Sequence, residues 1–340
     1  MDTHVGRIRI PQKFADLAPH FKVRWPTMAG VSGGRTSGLM HVLALLANGE
    51  DPNYVALFAN TGKEHEKTLD FVQAIAEATE RPFRWIEVRK PAVYGAPPKD
   101  LRVEEVVYET ASRNGEPLRA VLETMRDYRA VHKGMGPAVP TARGRTCTAY
   151  AKIRAMHRWC LENVGKEYDK FIGLRADEPE RVGRIRNRDR AGVFHYTPLA
   201  DAGITKADVL DFWKYQDFDL DIPEHMGNCT MCFLKDEADL ARVAYERPED
   251  ATWWLSLQAE FGQFRASDRV PMAQISMEAG VRLEIIAPAV ARGEMPDKPT
   301  TFDERRWRLL VTQERRRLKE KSSFSCACES VQLDVDDDDE

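Results

Sequence analysis

Residues 27–49, TMAGVSGGRTSGLMHVLALLANG, constrain the fold more than any other stretch. A short uncharged apolar run meets two glycines, and apolar residues then recur at helical spacing up to Gly49. A strand apolar on both faces belongs inside a parallel sheet, and a turn into a helix is how such a sheet returns on itself. The alternation repeats: 53–62 read as a second strand, 67–80 as an amphipathic helix and 83–90 as a third strand. Further on, 148–164 read as a helix, 170–178 as a central strand, and 204–216 as a helix capped at Thr205. Residues 101–111 and 118–130 read as helical, as do 235–264 and 302–320. This order predicts an α/β protein, a parallel sheet flanked by helices, with a mostly helical C-terminal part.

Composition narrows the partners only a little. The formal net charge is −4, so whole-chain electrostatics names none. No apolar run approaches the ~18 residues of a membrane span, and the N-terminus lacks the apolar stretch of a signal peptide. A cytoplasmic protein without membrane contact is expected. The run DVDDDDE, 334–340, reads as an acidic tail.

The turn SGGRTS, 32–37, is the first candidate site. A glycine turn between strand and helix leaves backbone N–H groups facing a concavity at a helix N-terminus, where orphan donors and the dipole favour a phosphate. Gly33 and Gly34 permit close approach, Ser32, Thr36 and Ser37 add hydroxyls, and Arg35 adds charge. The same residues also suit a plain turn in which Ser37 caps the helix. No GK[ST] follows at Walker spacing.

The six cysteines are the second signal. Cys229 and Cys232 form CxxC, Cys326 and Cys328 form CxC, and Cys147 and Cys160 stand apart. CxxC lets two thiolates meet one metal from a single turn, and further cysteines can complete four ligands. Zinc, an iron–sulfur cluster, redox thiols and buried apolar cysteines all fit that pattern. Cys160, on an apolar helix face, reads as core.

Taken in order, these segments resemble the PP-loop family, the ATP pyrophosphatases and adenine-nucleotide α-hydrolases, and within it the phosphoadenosine phosphosulfate (PAPS) reductases. SGGRTS resembles the SGGxDS loop, and FANTGKEHEKTLDFV (58–72) the second-strand signature. RTCTAYAKI resembles the cysteine-bearing helix start, and GLRADEPERVGR (173–184) the GxR strand end. YTPLADAGITKADVLDFW resembles the PL-containing segment, and HMGNCTMCFLK (225–235) the CxxC segment. The resemblance covers about residues 27 to 235 and includes iron–sulfur sulfur-transfer enzymes and DNA phosphorothioation proteins.

The resemblance implies a Rossmann-like fold with the ligand outside the carboxyl ends of the strands. ATP or PAPS would be held by Ser32, Gly33, Gly34, Arg35, Thr36 and Ser37, with Asn60, Thr61 and Gly62 near the adenosine and Arg175 facing the anion. Magnesium could accompany ATP. Cys147, Cys229, Cys232 and Cys326 would ligate a [4Fe–4S] cluster, with zinc as the alternative, and either Cys326 or Cys328 could be the fourth ligand. Cys328 is then the candidate nucleophile. Two departures stand out: Thr36 replaces the loop acid, and CACES replaces the reductases' ECGxH-like segment. The implied function is sulfur transfer or sulfonucleotide reduction with a thiol reductant or sulfur-donor protein. The alternatives are adenylation and thiolation of a nucleic-acid acceptor, or a non-catalytic zinc- or nucleotide-binding module.

The expected division is an N-terminal extension (1–26), the PP-loop domain (27–235), a helical part (236–325) and the tail with its CxC (326–340). The arginines of 180–190 and of the helix 304–321 suit either a solvated surface or a grip on phosphates.

Overall fold

The structure is a computed structural model that describes residues 3–136, 139–141, 144–187, 192–227, 229–262, 264 and 270–319. The described chain divides into two compact units, one within 3–136 and 145–222, the other within 139–144 and 223–319.

The first unit opens with an antiparallel hairpin, β1 (Thr3–Val5) and β2 (Ile8–Ile10). Its main sheet contains β3 (Thr27–Val31), β4 (Tyr54–Ala59), β5 (Arg84–Arg89), β6 (Arg102–Val106), β7 (Tyr168–Ile172) and β8 (Val193–Tyr196). Their spatial order is β6-β5-β4-β3-β7-β8. All neighbours run parallel except β6, which is antiparallel to β5. The α/β architecture is therefore as the sequence predicts. From β3 the chain builds outward through β4 and β5, then crosses back to add β7 on the other side. Strand order thus reverses between β3 and β7, and that is where open α/β sheets form a crevice.

Helices cover both faces. Ala29, Val31, Ala56 and Phe58 pack with the helices Arg35–Asn48, Glu66–Thr79 and Lys206–Lys214 through Leu39, Leu43, Phe71 and Trp213. The alternate strand residues Met28, Leu57 and Ile86 pack on Ala155, Met156 and Cys160 of the opposite helix. Period-two alternation along the strands is what supplies both faces. Cys160 is core, as its helix position suggests, and burial pushes its thiol up to about 11. The N-terminal residues Ile8, Ile10, Phe14, Phe21 and Val23 join the first of these cores.

Two element assignments in the first unit need correction. Residues 101–111 hold strand β6 instead of a helix. Pairing with β5 wins over the local pattern, and Arg89 reaches Glu104 across the pair at 3.2 Å. The strand expected over 170–178 ends at Ile172, because side chains of the following turn bond its own backbone. The strand β8 left no clear sequence signal.

The second unit is helical: Glu237–Glu246, Pro248–Phe261, Met272–Gly280, a π-helical Val281–Ile286, Ala287–Ala291 and Glu304–Lys319. The expected span 235–264 is split at Pro248, which opens a new helix. A small apolar cluster of Ile286, Val290, Trp307, Leu310 and Val311 is backed by ions. Arg282, 1% exposed, meets Glu314 at 2.7 Å and Glu237 at 3.4 Å, and Arg306 shares Glu237 and binds Glu278. Among the described residues no helix is long and apolar enough to cross a membrane.

Candidate functional site

Strand β3 ends at Val31, and the helix begins at Arg35 with Gly34 as its N-cap. Ser37 closes the loop between them. Its Oγ donates to the Gly34 carbonyl (3.1 Å), accepts the Ser32 N–H (3.1 Å) and lies 3.0 Å from Ser32 Oγ. Gly33 has φ +81°, and a Cβ there would fall 2.4 Å from Thr68 Cγ2, so only glycine fits. No side chain caps this helix. The first-turn N–H groups, which have no intrahelical acceptors in any helix, are thus left without a capping side chain. That is the local structure of an anion site.

Arg35 turns away from the loop. Its guanidinium grips Asp219 at 2.6 and 2.9 Å and donates to the Leu220 carbonyl. The cation that does reach the loop is Arg175, 4% exposed, from the turn after β7. Its Nη1 donates to Thr36 Oγ1 at 3.2 Å, and its Nε to Asp177 Oδ1 at 3.0 Å. Glu178 accepts the Arg175 N–H at 3.1 Å, approaches Nη2 at 3.5 Å and also binds Arg181. A Cβ on Gly173 would stand 3.1 Å from the Ser37 Cα. The turn after β7 thus packs closely on the first turn of the helix after β3.

The turn after β4 is built from its own side chains. Asn60 donates to Glu87 (2.6 Å) and to the Ser112 carbonyl (2.8 Å), and accepts the Gly62 N–H (2.9 Å). Gly62 has φ +74°, and a Cβ there would meet Ser112 Oγ at 2.5 Å. The Thr61 hydroxyl and N–H both donate to Glu64 Oε2, at 2.8 and 3.1 Å. The other Glu64 oxygen faces Lys152 Nζ at 3.2 Å. Lys152 lies in the π-helical turn Ala149–Arg154, directly after Cys147 on Thr146–Thr148. Sequence reasoning missed Lys152. The T-x-x-E spacing of Thr61 and Glu64 is a signal that could have shown the local bond, but nothing in the sequence marks a partner five residues past a cysteine.

Cys147 is half-buried in the first unit. Cys229 and Cys232 lie in the second, on one turn closed by Cys232 N–H to the Cys229 carbonyl at 3.2 Å. Beneath it the buried Lys235 ammonium donates to the carbonyls of His225 (2.6 Å) and Thr230 (2.8 Å). Cys326 and Cys328 lie outside the described residues. Among the described residues no three of His, Cys, Asp or Glu gather as a metal-ligand set. The CxxC turn by itself offers two thiols.

Of the arginines in 180–190, Arg181 is committed to Glu178, Arg184 reaches the Glu180 carbonyl at 3.3 Å, and Arg186 binds Asp201 and Thr197. Arg188 and Arg190 lie outside the described residues.

The uncharacterized nin region protein ORF290 of Escherichia phage lambda is 31% identical over 237 residues, 63% of this chain and 71% of that protein. The chain belongs to the ORF290 family. No family model matches the chain. Among solved structures, the U34-tRNA thiolase NcsA from Methanococcus maripaludis with its [4Fe-4S] cluster aligns at 12% identity and a TM-score of 0.37. The alignment covers 98% of this chain and 91% of that one, a likeness too slight to carry an argument.

Proposed function

We propose that the chain is a sulfur-transfer enzyme that binds an adenine nucleotide, PAPS or ATP, with the anionic end on the Ser32–Ser37 loop. One observation carries this: the loop, the uncapped helix N-terminus and the buried Arg175 occupy the same strand ends at the switch point. Orphan N–H groups and a guanidinium stabilise negative charge there. The loop presents a threonine bonded to an arginine where ATP pyrophosphatases carry a metal-placing acid. That pair suits a bare anion better than a magnesium-bridged one, which favours sulfonucleotide reduction. A second reading, adenylation and thiolation of a nucleic acid, draws on the basic face of the helix Glu304–Lys319.

The Thr61–Glu64–Lys152 chain would hold the second strand end rigid beside the ligand. Cys147, Cys229, Cys232 and Cys326 are the proposed holders of a [4Fe–4S] cluster or zinc, since thiolates suit both. When bound, a cluster would supply electron chemistry. Cys328 is the proposed nucleophile.

The test is a binding titration of PAPS and ATP, each with and without magnesium, on wild type and Arg175→Met. The expected outcome is metal-independent PAPS binding that the substitution weakens, with sulfite released from PAPS by a thiol reductant. Pyrophosphate from ATP would favour the second reading, and no nucleotide binding at all would sink both. Iron and zinc analysis of protein purified without air, beside Cys229→Ala, tests the metal: neither metal in wild type would overturn the ligand assignment.

A further inference from the structure

The helix Glu304–Lys319 is divided sharply between two faces. Trp307, Leu310, Val311 and Glu314 are buried, the last on Arg282. Arg305, Arg308, Thr312, Arg315, Arg316 and Lys319 are exposed. At about 100° per residue these six positions fall within an arc of about 100°, opposite the buried face. The arc holds five cations and one hydroxyl, and no acid. Glu304, the nearest acid, lies just outside it and pairs with Arg308 at 2.7 Å. Neither Arg305 nor Lys319 meets a carboxylate among the described residues. From the first to the last, the stripe runs about 21 Å along the helix axis.

We infer that this stripe is a docking surface for a nucleic-acid backbone. A linear row of cations over that length matches successive phosphates, and arginine forks bind phosphate oxygens in two-pronged fashion. A membrane surface is the poorer fit, because an interfacial helix needs an apolar face to insert. Here the apolar face is already occupied by the core of the unit. The unit could have balanced this face with acids, as it does inside, where Arg282 and Arg306 are matched by Glu237, Glu278 and Glu314. On the exposed arc Arg305 and Lys319 have no such match among the described residues, and charge left uncompensated there costs self-repulsion that a polyanion relieves. The contacts are to backbone, so binding is independent of sequence. The inference deepens the second reading above, which draws on this same helix face, and does not depend on nucleotide binding at the loop.

The test is fluorescence anisotropy of the full chain with labelled DNA and RNA, duplex and single-stranded, across salt concentration. Each duplex phosphate contact contributes about −0.9 to the slope of log K against log salt. The variant Arg305→Ala/Arg308→Ala/Arg315→Ala/Lys319→Ala should flatten that slope by about three to four and weaken binding at least ~100-fold near ~0.1 M salt. Lys99→Ala/Lys166→Ala, exposed cations of the other unit, should leave the slope unchanged. The single variants Arg305→Ala and Lys319→Ala, each expected to remove about one unit of slope, serve if the fourfold change perturbs folding. The inference is overturned by a wild type that retains no nucleic acid at low salt, or by a folded fourfold variant that binds like wild type. An equal loss in the Lys99/Lys166 control, or binding to phosphatidylserine vesicles in place of nucleic acid, overturns it too. Nucleotide binding at the loop is read separately, so the two proposals fail independently.

Discussion

Arg175 Nη1 donates to Thr36 Oγ1 across 3.2 Å, joining the turn after β7 to the first turn of the helix after β3. One hydrogen bond thus spans the switch point and sets a buried guanidinium beside the loop. Arg175→Met should weaken anionic-nucleotide binding at least ~10-fold, the scale of one lost charge-assisted bond or more. Thr36→Val should cost less, because the arginine keeps Asp177 and Glu178. A double-mutant cycle on nucleotide affinity should return a coupling of about 0.5–3 kcal/mol, and strict additivity would show that the pair does not act together.

Gly33 sets the shape of the loop. With φ at +81° and a virtual Cβ 2.4 Å from Thr68 Cγ2, Gly33→Ala brings both backbone strain and a clash. The expected loss is about 1–3 kcal/mol, seen as a fall in thermal midpoint together with weaker nucleotide binding. Adding Thr68→Ala removes the methyl but not the strain, so it should restore part of the stability. Full recovery would mean that φ at this position is unimportant.

Glu64 carries the turn after β4, taking two bonds from Thr61 and an ion pair from Lys152. Lys152 is partly exposed, so solvent screens the pair. Lys152→Met should cost about 1–2 kcal/mol, while Glu64→Leu, which removes all three contacts and leaves the Thr61 donors unmet, should cost about 2–4 kcal/mol in chemical denaturation. Equal losses would show that the Thr61 bonds add nothing.

What the sequence disclosed follows from the range of each interaction. The glycine turn, the buried strands and the cap at Thr205 are settled within a few residues, and these were legible; Thr205 does accept from the Asp208 N–H in a reciprocal capping box. Strand β6 was not, because its LRVEEVV pattern gains its partner only when β5 lies alongside. Arg35 illustrates the same limit within the site. Its place in the loop suggested charge for a phosphate, yet Asp219, 184 residues away, takes the guanidinium. Lys152 was hidden for the complementary reason: the π-helical turn departs from the 3.6-residue period by which helix faces are read.

His41 makes the core sensitive to acid. It is buried on the helix after the loop, with Nδ1 3.0 Å from the Tyr54 hydroxyl, and burial pushes its imidazole down to about 3 from 6.5. The unfolded chain therefore binds a proton below about pH 6.5 that the folded chain refuses until about pH 3. Where the unfolded state holds more protons, stability falls as pH falls, here by at most about 1.4 kcal/mol per pH unit through that window. Replacing the pair as His41→Leu/Tyr54→Phe removes the titrating ring without stranding the phenol. Urea unfolding of both proteins between pH 7 and pH 4 should show the variant gaining on wild type as pH drops. A constant difference across that range would mean the ring takes up its proton in the folded protein as readily as in the unfolded chain.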